Sequence, residues 1–333
     1  MNLMFKYKKI LITGGTGSWG HELTRQLLKK NPEEIRIISR GEYAQVKMKR
    51  KFQDERINFR ICNVRDYSAM DASCKEIDYM FHLAALKHVP ICEEQPYEAI
   101  KTNIQGTKNI IKAAINNKIK KVIDVSTDKA VDPINLYGLT KATGERLIIQ
   151  ANKISNKPKF MCIRAGNVLG TNGSVVPFFI KSIKESNEIT ITDRRMTRFF
   201  ITLEEAIELL FTAAEKSIGG ETFVERMCSF RLMDLAEILI EHYGDEETEI
   251  KEIGARPGEK LHEVLVSRYE IDKTYEYDDK YFLILPLLFI KGLSKHYKDM
   301  DLEKVKIKEF TSRTELSTKS ILKRKLQIGG FLD

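Results

Sequence analysis

The chain has 333 residues, 42% of them hydrophobic and 31% charged, which is typical of one large or two smaller globular domains. Its formal net charge of +8 is spread along the sequence and not gathered into a basic stripe, so we expect no nucleic-acid partner. Five cysteines at irregular spacings, with no Cys-x-x-Cys pair, argue against a disulfide framework and against a metal site, and favour the reducing cytoplasm. The longest apolar run, 281–290, contains a proline and is too short for a membrane span, so it predicts a buried strand.

Apolar strands alternate with helical segments through the first half of the chain. The predicted strands are 9–14, 34–40, 57–64, 77–85, 120–127 and 159–168, and the predicted helices are 18–30, 103–117 and 136–154. Such alternation is typical of βαβ units, and it predicts an α/β fold with a doubly wound parallel sheet.

The regular alternation fades after Asn167, although a helix capped by Thr202 with Glu205 follows a further short strand. We therefore predict a dinucleotide-binding domain over 1–166, with 194–218 returning to it. A smaller C-terminal lobe for the substrate then comprises 167–193 and 219–333. Its last thirty or so residues are basic and poorly patterned, which fits either a flexible tail or an oligomer contact.

The segment Thr13–Gly20, "TGGTGSWG", combines the end of a strand with the start of a helix. Gly14 permits a sharp turn, Gly17 lets the backbone approach a pyrophosphate, and Gly20 allows close packing of helix and strand. This spacing predicts a dinucleotide site and resembles the loop of the short-chain dehydrogenase/reductase superfamily. Thr16, Ser18 and Trp19 belong to the same loop, and Trp19 either flanks the cofactor or packs against the next helix.

The end of the second strand bears on the choice of cofactor. Ser39 and Arg40 stand where a carboxylate would favour a ribose 2′-hydroxyl, whereas an arginine can bind a 2′-phosphate. The nearby carboxylate of Glu42 makes the evidence for cofactor preference mixed, but we expect NADP rather than NAD. Asn63 and Val64, at the end of the third strand, are expected at the adenine edge.

Tyr137 and Lys141 are four residues apart, which places them on one face of a helix. A nearby ammonium lowers the pKa of a tyrosine, so Tyr137 can take a proton from a substrate hydroxyl while hydride leaves. Together with the preceding strand that ends at Ser126-Thr127, this pair predicts a hydride-transfer site.

Asp128 and Lys129 lie directly after that strand. Neighbours on a strand point to opposite faces, so both can reach a ligand only if the strand has ended, as Asp132-Pro133 suggests. A plain reductase needs neither residue, whereas a reaction with additional proton transfers would use both. A surface ion pair of little energetic value is the alternative.

The motifs as a set resemble the UDP-N-acetylglucosamine 4,6-dehydratases, extended short-chain dehydrogenases of polysaccharide and nonulosonic-acid synthesis. In chain order they are "GGTGSWG", "SRGE", "AALKHVP", "KTNIQGT", "STDKAVDPINLYGLTK", "GNVLGTNGSVVPFF", "ITDRRMTRFFIT" and "RPGEKLHE". The sequence is most similar to the small C5-inverting enzymes of the pseudaminic acid pathway. The resemblance implies a Rossmann fold and a homo-oligomer, either a dimer or a hexamer.

The resemblance also implies catalytic roles. Tyr137 would deprotonate the C4 hydroxyl, with Thr127 hydrogen-bonded to the C4 oxygen. Lys129 would remove the C5 proton, and Asp128 would protonate the departing C6 hydroxyl. We expect the pKa of Lys129 to be lowered by burial, by Lys141 and by the nicotinamide.

Binding roles follow from the same resemblance. The implied cofactor contacts, besides the glycine loop and the strand ends already named, are Ala84, Asn103, Val168, Tyr137 and Lys141. The implied substrate contacts are Lys87, Asn167, Ser174, Val175, Thr192, Arg256 and Glu259. Three positions depart from the family pattern, namely Gly41, Asn63 and Ala165, and none belongs to the proton-transfer set.

Other readings of the same motifs remain open. A C5-retaining dehydratase would carry the same Asp-Lys pair, whereas a UDP-sugar C4-epimerase would not need it. A dinucleotide-binding sensor without catalysis would typically lose the tyrosine or the lysine, and this chain has both.

Overall fold

A computed structural model describes residues 3–171, 173–254 and 257–332. Its strands are β1 (Lys9–Thr13), β2 (Glu34–Ser39), β3 (Ile57–Ile61), β4 (Tyr79–His82), β5 (Lys121–Thr127), β6 (Lys159–Ala165), β7 (Asn167–Val168), β8 (Glu188–Ile191), β9 (Thr197–Ile201), β10 (Thr222–Glu225), β11 (Cys228–Arg231), β12 (Glu249–Glu252), β13 (Val264–Val266), β14 (Thr274–Glu276), β15 (Tyr281–Ile284) and β16 (Phe310–Thr311).

Helices connect and flank these strands. The α-helices are α1 (Ser18–Leu28), α2 (Glu42–Phe52), α3 (Tyr67–Ser73), α4 (Val89–Glu94), α5 (Pro96–Ala99), α6 (Gly106–Asn116), α7 (Leu136–Ile154), α8 (Val175–Ser186), α9 (Leu203–Lys216), α10 (Leu232–Tyr243), α11 (Leu293–Asp299) and α12 (Lys319–Ile328). A π-helical turn spans Ile100–Gln105, and 3₁₀ turns span Asp128–Ala130 and Ile271–Lys273.

A nine-stranded sheet in the order β14-β15-β10-β6-β5-β4-β1-β2-β3 forms the centre of the molecule. In this sheet, neighbouring strands pair in parallel along the stretch β10-β6-β5-β4-β1-β2-β3. At the other edge, β15 pairs antiparallel with β10, and β14 pairs antiparallel with β15. Ile10, Leu11 and Ile12 of β1 are fully buried, as expected for a strand covered on both faces. The predicted α/β fold with a doubly wound parallel sheet is therefore confirmed.

The strand order reverses beside β1, which lies between β2 and β4. Crevices outside the carboxyl ends of the strands at such a reversal are the usual ligand sites of open α/β sheets. The glycine loop after β1 and the segment 83–88 after β4 both lie at this edge.

The predicted helix 103–117 begins earlier than the periodicity indicated. The chain turns helical at α5, passes through the π-helical turn Ile100–Gln105 and continues as α6. Pro96 supplies the fixed φ of a first helical turn, and the extra residue of the π turn interrupts the 3.6-residue period on which the prediction relied.

A second apolar core lies beside the large sheet, formed by β8, α8, α10 and α12, with Phe179 and Phe230 almost fully buried in it. Two small sheets accompany it, in the orders β11-β9-β7 and β12-β8. The basic C-terminal segment is part of this layer, because Leu322 and Leu326 of α12 are completely buried. Of the two alternatives for this segment, the flexible tail was wrong, because a two-residue apolar stripe on a short helix is too sparse to be recognised among lysines, and the oligomer contact stays a prediction.

The predicted domain division needs one structural adjustment. The substrate lobe was expected to include all of 219–333, but β10, β14 and β15 of that range pair within the large sheet. The apolar run 281–290 contributes β15, which is buried as predicted. The pairing of these short strands within the large sheet could not be assigned from sequence, because their partners are far away in the chain.

Candidate active site

The glycine loop makes the sharp turn that its sequence predicts. Gly14 has φ +67°, and a Cβ there would come within 2.9 Å of the Ala84 backbone. A Cβ on Gly20 would lie 2.1 Å from the Gly15 carbonyl oxygen, so only glycine allows this packing of α1 against the loop. A Cβ on Gly17 would meet only the Gly14 carbonyl oxygen, at 3.4 Å, so the space above Gly17 is open. This open cradle at the N-terminus of α1 fits the pyrophosphate of a dinucleotide.

The ends of β2 and β3 lie next to this loop. The Ser39 hydroxyl accepts a hydrogen bond of 3.0 Å from Gln45 Nε2, and Arg40 is exposed. The Asn63 side chain accepts from the Arg65 amide at 3.1 Å, and the Val64 carbonyl accepts from Asn109 at 2.9 Å. The four residues therefore lie together at the carboxyl ends of the neighbouring strands β2 and β3.

Asn103 is 2% exposed and fastens the segment after β4 to the helix α7. Its side chain accepts from the Leu86 amide at 2.8 Å and donates to the Leu86 carbonyl at 2.9 Å and to the Thr140 hydroxyl at 3.0 Å. Both ends of the carboxamide are thus used in positioning the loop that carries Lys87.

Two adjoining cavities open along the carboxyl edge of the sheet. The first, of about 560 Å³, is lined by Lys129, Asn167, Ser174, Val175, Thr192, Arg198, Glu259, Lys260 and Glu263, among others. The second, of about 300 Å³, is lined by Trp19, Lys87, Ser126, Thr127, Lys129, Tyr137, Asn167, Val168, Ser174 and Val175, among others. Lys129, Asn167 and the segment Gly173–Val175 border both cavities, so together they form one cleft.

Trp19 of the glycine loop has an exposed side and a packed side. It lines the second cavity, and it also packs partly against the buried residues of the large sheet. The cleft therefore has an aromatic wall on the side of the glycine loop.

Tyr137 and Lys141 lie on one face of α7, and Tyr137 lines the second cavity. The Lys141 ammonium is 3.4 Å from Asp124 Oδ2, and both side chains are buried. Burial lowers the pKa of Lys141, but Asp124 and the other nearby acidic groups raise it by a larger amount. The net result is a raised pKa. Burial raises the pKa of Asp124 to about 6 in spite of Lys141, so at neutral pH the two form an ion pair.

The pKa of Tyr137 corrects the expectation from its spacing. Burial raises this pKa, and the lowering by Lys141, Lys129 and the Thr127 hydroxyl does not overcome it. The predicted helix-face arrangement of tyrosine and lysine is present, but the pKa of the phenol stays above its ordinary value.

The strand β5 ends at Thr127, as predicted, and a 3₁₀ turn follows over Asp128–Ala130. The Thr127 hydroxyl donates to Asp128 Oδ1 at 2.9 Å, and the Lys129 ammonium donates to the same oxygen at 3.1 Å. Asp128 is fully buried behind Lys129, and its Oδ2 has no hydrogen-bond partner in the described structure. The pair is therefore not a solvated surface ion pair.

Lys129 also contacts residues from later in the chain. Its Nζ lies 3.5 Å from Asn167 Oδ1 and 3.4 Å from Glu263 Oε1. Burial would lower the pKa of Lys129, but Asp128 and Glu263 together raise it well above its ordinary value. The expected lowering of this pKa was wrong, because it considered the neighbouring cations and not the two carboxylates.

Glu263 and Arg198 are site residues that sequence reasoning missed. The Glu263 side chain is 3% exposed, and its Oε1 is 3.8 Å from Arg198 Nε. Arg198 also donates to the Thr197 carbonyl at 2.8 Å. The quoted motifs "RPGEKLHE" and "ITDRRMTRFFIT" contain both residues, but only the tertiary structure shows that they reach Lys129.

The structure brings most predicted substrate residues to one cleft. Those lining it are Lys87, Asn167, Ser174, Val175, Thr192 and Glu259. Asp128 and Lys141 lie behind its wall, and Arg256 lies outside the described residues. No cluster of three or more metal-binding side chains occurs in residues 3–171, 173–254 and 257–332. Within these same ranges, no helix is long and apolar enough to cross a membrane.

The doubly wound sheet, the glycine cradle and the Tyr137–Lys141 pair define the class of the extended short-chain dehydrogenases/reductases. The chain belongs to the family described as polysaccharide biosynthesis protein, whose model matches residues 10–285. The predicted family is therefore confirmed.

Two kinds of named relative have similar levels of identity. A UDP-N-acetylglucosamine 4,6-dehydratase (inverting) of Campylobacter jejuni is 43% identical over 291 residues, 86% of each chain. A UDP-glucose 4-epimerase of Rickettsia akari is 44% identical over 276 residues, 81% of each chain.

Solved structures share the fold. The structure of Pen from Bacillus thuringiensis superposes with a TM-score of 0.91 at 38% identity, covering 99% of this chain and 100% of that one. DesIV, a dTDP-glucose 4,6-dehydratase from Streptomyces venezuelae solved with NAD and TYD, superposes with a TM-score of 0.70 over 76% of this chain and 86% of that one. At 20% identity, the second likeness concerns the fold alone.

Proposed function

We propose that this chain is an NADP-dependent UDP-N-acetylglucosamine 4,6-dehydratase that inverts C5. The observation that carries the proposal is the position of Lys129. It lies in one cleft with Tyr137, beside the buried carboxylate of Asp128. A hydride-transfer site alone does not need this second pair, whereas removing water from a sugar requires an additional base and acid.

Tyr137 is the base for the C4 hydroxyl in this proposal, with Thr127 donating a hydrogen bond to the C4 oxygen. NADP, when bound, accepts hydride from C4 and returns it to C6. Because the pKa of Tyr137 is raised, the phenol carries its proton at neutral pH. The form of Tyr137 that accepts the C4 hydroxyl proton is the phenolate, so the phenolic proton has to be released to solvent first, and the Lys141 ammonium stabilises the phenolate that results.

Lys129 removes the C5 proton and Asp128 protonates the C6 oxygen that leaves as water. The raised pKa of Lys129 means that its resting form is an ammonium. Transfer of one proton across the 3.1 Å contact from Lys129 to Asp128 gives an amine and a carboxylic acid, the two forms that the elimination needs. The pair therefore supplies both groups without taking a proton from solvent.

The same cleft supplies the binding groups. We assign the sugar and diphosphate to the side of Lys87, Asn167, Ser174 and Val175. We assign the uridine to the side of Thr192 and Glu259 in the first cavity. Arg256 would pair with the diphosphate, since a guanidinium matches phosphate oxygens.

The cofactor contacts follow the open face of the glycine loop. The pyrophosphate would lie over Thr16, Gly17 and Ser18, and the nicotinamide near Ala84 and Val168. Arg40 is exposed at the end of β2, where it can bind a 2′-phosphate, which supports NADP over NAD. We further propose a cytoplasmic homo-oligomer, as the sequence resemblance implies.

A UDP-sugar C4-epimerase is the second candidate, because relatives with that name are as similar as the dehydratases. The two activities differ in mass balance. Incubation with UDP-N-acetylglucosamine and either NADP or NAD, followed by mass spectrometry, would give a product lighter by one water for a dehydratase. An epimerase would give an isomer of unchanged mass, and that outcome would refute the proposal.

A further inference from the structure

We propose that Glu263 is a positioning residue that holds Lys129 in place and sets the pH at which Lys129 loses its proton. This inference deepens the proposed function and rests on it. Glu263 has no part in the proton transfers assigned to Tyr137, Asp128 and Lys129, and its effect is electrostatic.

Hydrogen bonds to Ser312, in the C-terminal part of the chain, hold the backbone of Glu263 in place. Its amide donates to the Ser312 hydroxyl at 2.9 Å, and its carbonyl accepts from the Ser312 amide at 2.9 Å. Asp128, by contrast, follows the central strand β5. Lys129 is therefore held between two carboxylates that come from separate segments of the chain, at 3.1 Å and 3.4 Å.

One oxygen of the Glu263 carboxylate is able to accept a further hydrogen bond. Its Oε2 is buried and has no partner among the described residues, while its Oε1 faces Lys129 and Arg198. An unpaired buried carboxylate oxygen is costly, and Glu263 lines the first cavity. A sugar hydroxyl that donates to this oxygen would weaken the attraction between Glu263 and Lys129.

Six charged or titratable groups face Lys129 or lie close to it, and two of them favour its ammonium form. They are Asp128, Glu263, Arg198, Lys87, Lys260 and Tyr137. The three cations oppose the ammonium, so the two carboxylates keep the proton on Lys129. Removing the charge of Glu263 leaves Asp128 alone against those cations, and Lys129 should then deprotonate at lower pH.

Chemical labelling tests this on the full chain without any turnover. Only the free amine reacts in reductive methylation, so the rate at one mildly alkaline pH reports the fraction of Lys129 that is deprotonated. Peptide mass spectrometry gives the rate for Lys129 relative to the exposed Lys295. In Glu263→Gln we expect this ratio to rise roughly tenfold, since lowering the pKa by one unit gives tenfold more amine.

Glu185→Gln is the matched control, because Glu185 is an exposed carboxylate on α8 whose ion-pair partner is Lys181, at 3.7 Å. We expect its labelling ratio to stay within about twofold of the wild type. An unchanged ratio in a Glu263→Gln protein with a native melting curve would overturn the inference. If Glu263→Gln does not fold, Glu263→Asp withdraws the carboxylate by one methylene, and an unchanged ratio there overturns it equally.

A pH profile connects the inference to turnover. For water loss, the alkaline limb of kcat/KM, where the Lys129–Asp128 pair loses its single proton, should move to lower pH by about one unit in Glu263→Gln, which a purely structural role would not cause. Different results would refute the proposed dehydratase activity and the proposed role of Glu263. A wild type that never releases water refutes the dehydratase, whereas an active wild type with an unmoved limb and unchanged labelling in Glu263→Gln refutes only the role of Glu263.

Discussion

The two lysines to which we assign roles in catalysis lie in different surroundings. Lys141 is buried, with its side chain 5% exposed, and it pairs with Asp124 from the adjacent strand β5. Lys129 is 23% exposed and lies between Asp128, next to it in sequence, and Glu263, from a distant segment. The hydride-transfer region is thus built locally, by β5 and α7. The elimination region is complete only when the C-terminal lobe packs against the end of β5.

This difference explains how one fold can serve several reactions. The local region needs only the βαβ unit that short-chain dehydrogenases share, so it does not distinguish between them. The elimination region depends on contacts across the cleft, so substitutions in the C-terminal lobe can change the chemistry while hydride transfer remains. The experiments below perturb the two regions separately.

Tyr137→Phe should have the largest effect, because it removes the base for the C4 hydroxyl and leaves the helix intact. We expect turnover to fall by about 10²- to 10⁴-fold, with no reduced cofactor formed from UDP-N-acetylglucosamine. Stopped-flow absorbance of the reduced nicotinamide measures this directly. Tyr269→Phe removes the hydroxyl of a tyrosine that is 77% exposed and should behave as wild type. Turnover near the wild-type rate in Tyr137→Phe would remove the hydride-transfer region from the account.

Gly17→Ala should weaken cofactor binding without unfolding the protein. Its new methyl group would meet only the Gly14 carbonyl oxygen, at 3.4 Å, and would occupy the face where we place the pyrophosphate. We expect at least about a tenfold increase in the Kd for NADP, measured by calorimetry, since about 1.4 kcal/mol of lost contact suffices.

Gly144→Ala is the control for that substitution, because its methyl group would meet the Asn103 carbonyl oxygen at 3.6 Å and the Thr107 hydroxyl at 3.7 Å, which are ordinary contact distances. It should bind NADP as the wild type does. Equal affinities for NADP in the wild type and Gly17→Ala would contradict the assigned cradle.

Glu225→Gln should have the smallest effect and should separate stability from catalysis. Burial raises the pKa of Glu225 at the end of β10 from 4.5 to about 7, and its Oε2 has no partner in the described structure. The folded state therefore binds this proton more tightly than the unfolded state. The stability it contributes is present below about pH 4.5 and is lost as pH rises through 7.

Urea unfolding at several pH values measures this contribution. The wild type should lose at most about 3 kcal/mol across that range through Glu225, and the glutamine variant should lose correspondingly less. An identical pH dependence of stability in the two proteins would show that Glu225 does not titrate there. The alkaline limb of turnover should not change in this variant, which separates it from Glu263→Gln.

The local region could be predicted from sequence, since the loop from Gly14 to Gly20 and the pair Tyr137–Lys141 depend on spacing within single elements. The end of β5 at Thr127 was likewise visible. The residues that contact Lys129 from distant parts of the chain could not be predicted. Glu263 reaches Lys129 across more than a hundred residues, and its carboxylate reverses the expected direction of the Lys129 pKa shift.

The fold likewise has a part that the sequence predicts and a part that it does not. The six parallel strands of the first half follow from their apolar runs and intervening helices. The return of β10 and β15 to the sheet could not be predicted, because four-residue strands carry little pattern and their pairing is set by distant partners. The helix α12 was hidden for a related reason, since only two of its residues are buried.

The central claim is that Lys129 takes a proton from C5 in a step distinct from hydride transfer at Tyr137. The most direct test incubates the wild type and Lys129→Ala with UDP-N-acetylglucosamine and NADP in heavy water and follows the sugar by proton NMR. The wild type should produce a C6 methyl signal and replace the C5 proton by deuterium. Lys129→Ala should bind NADP normally and show neither change, whereas a C6 methyl signal that grows at the wild-type rate in this variant would contradict the account.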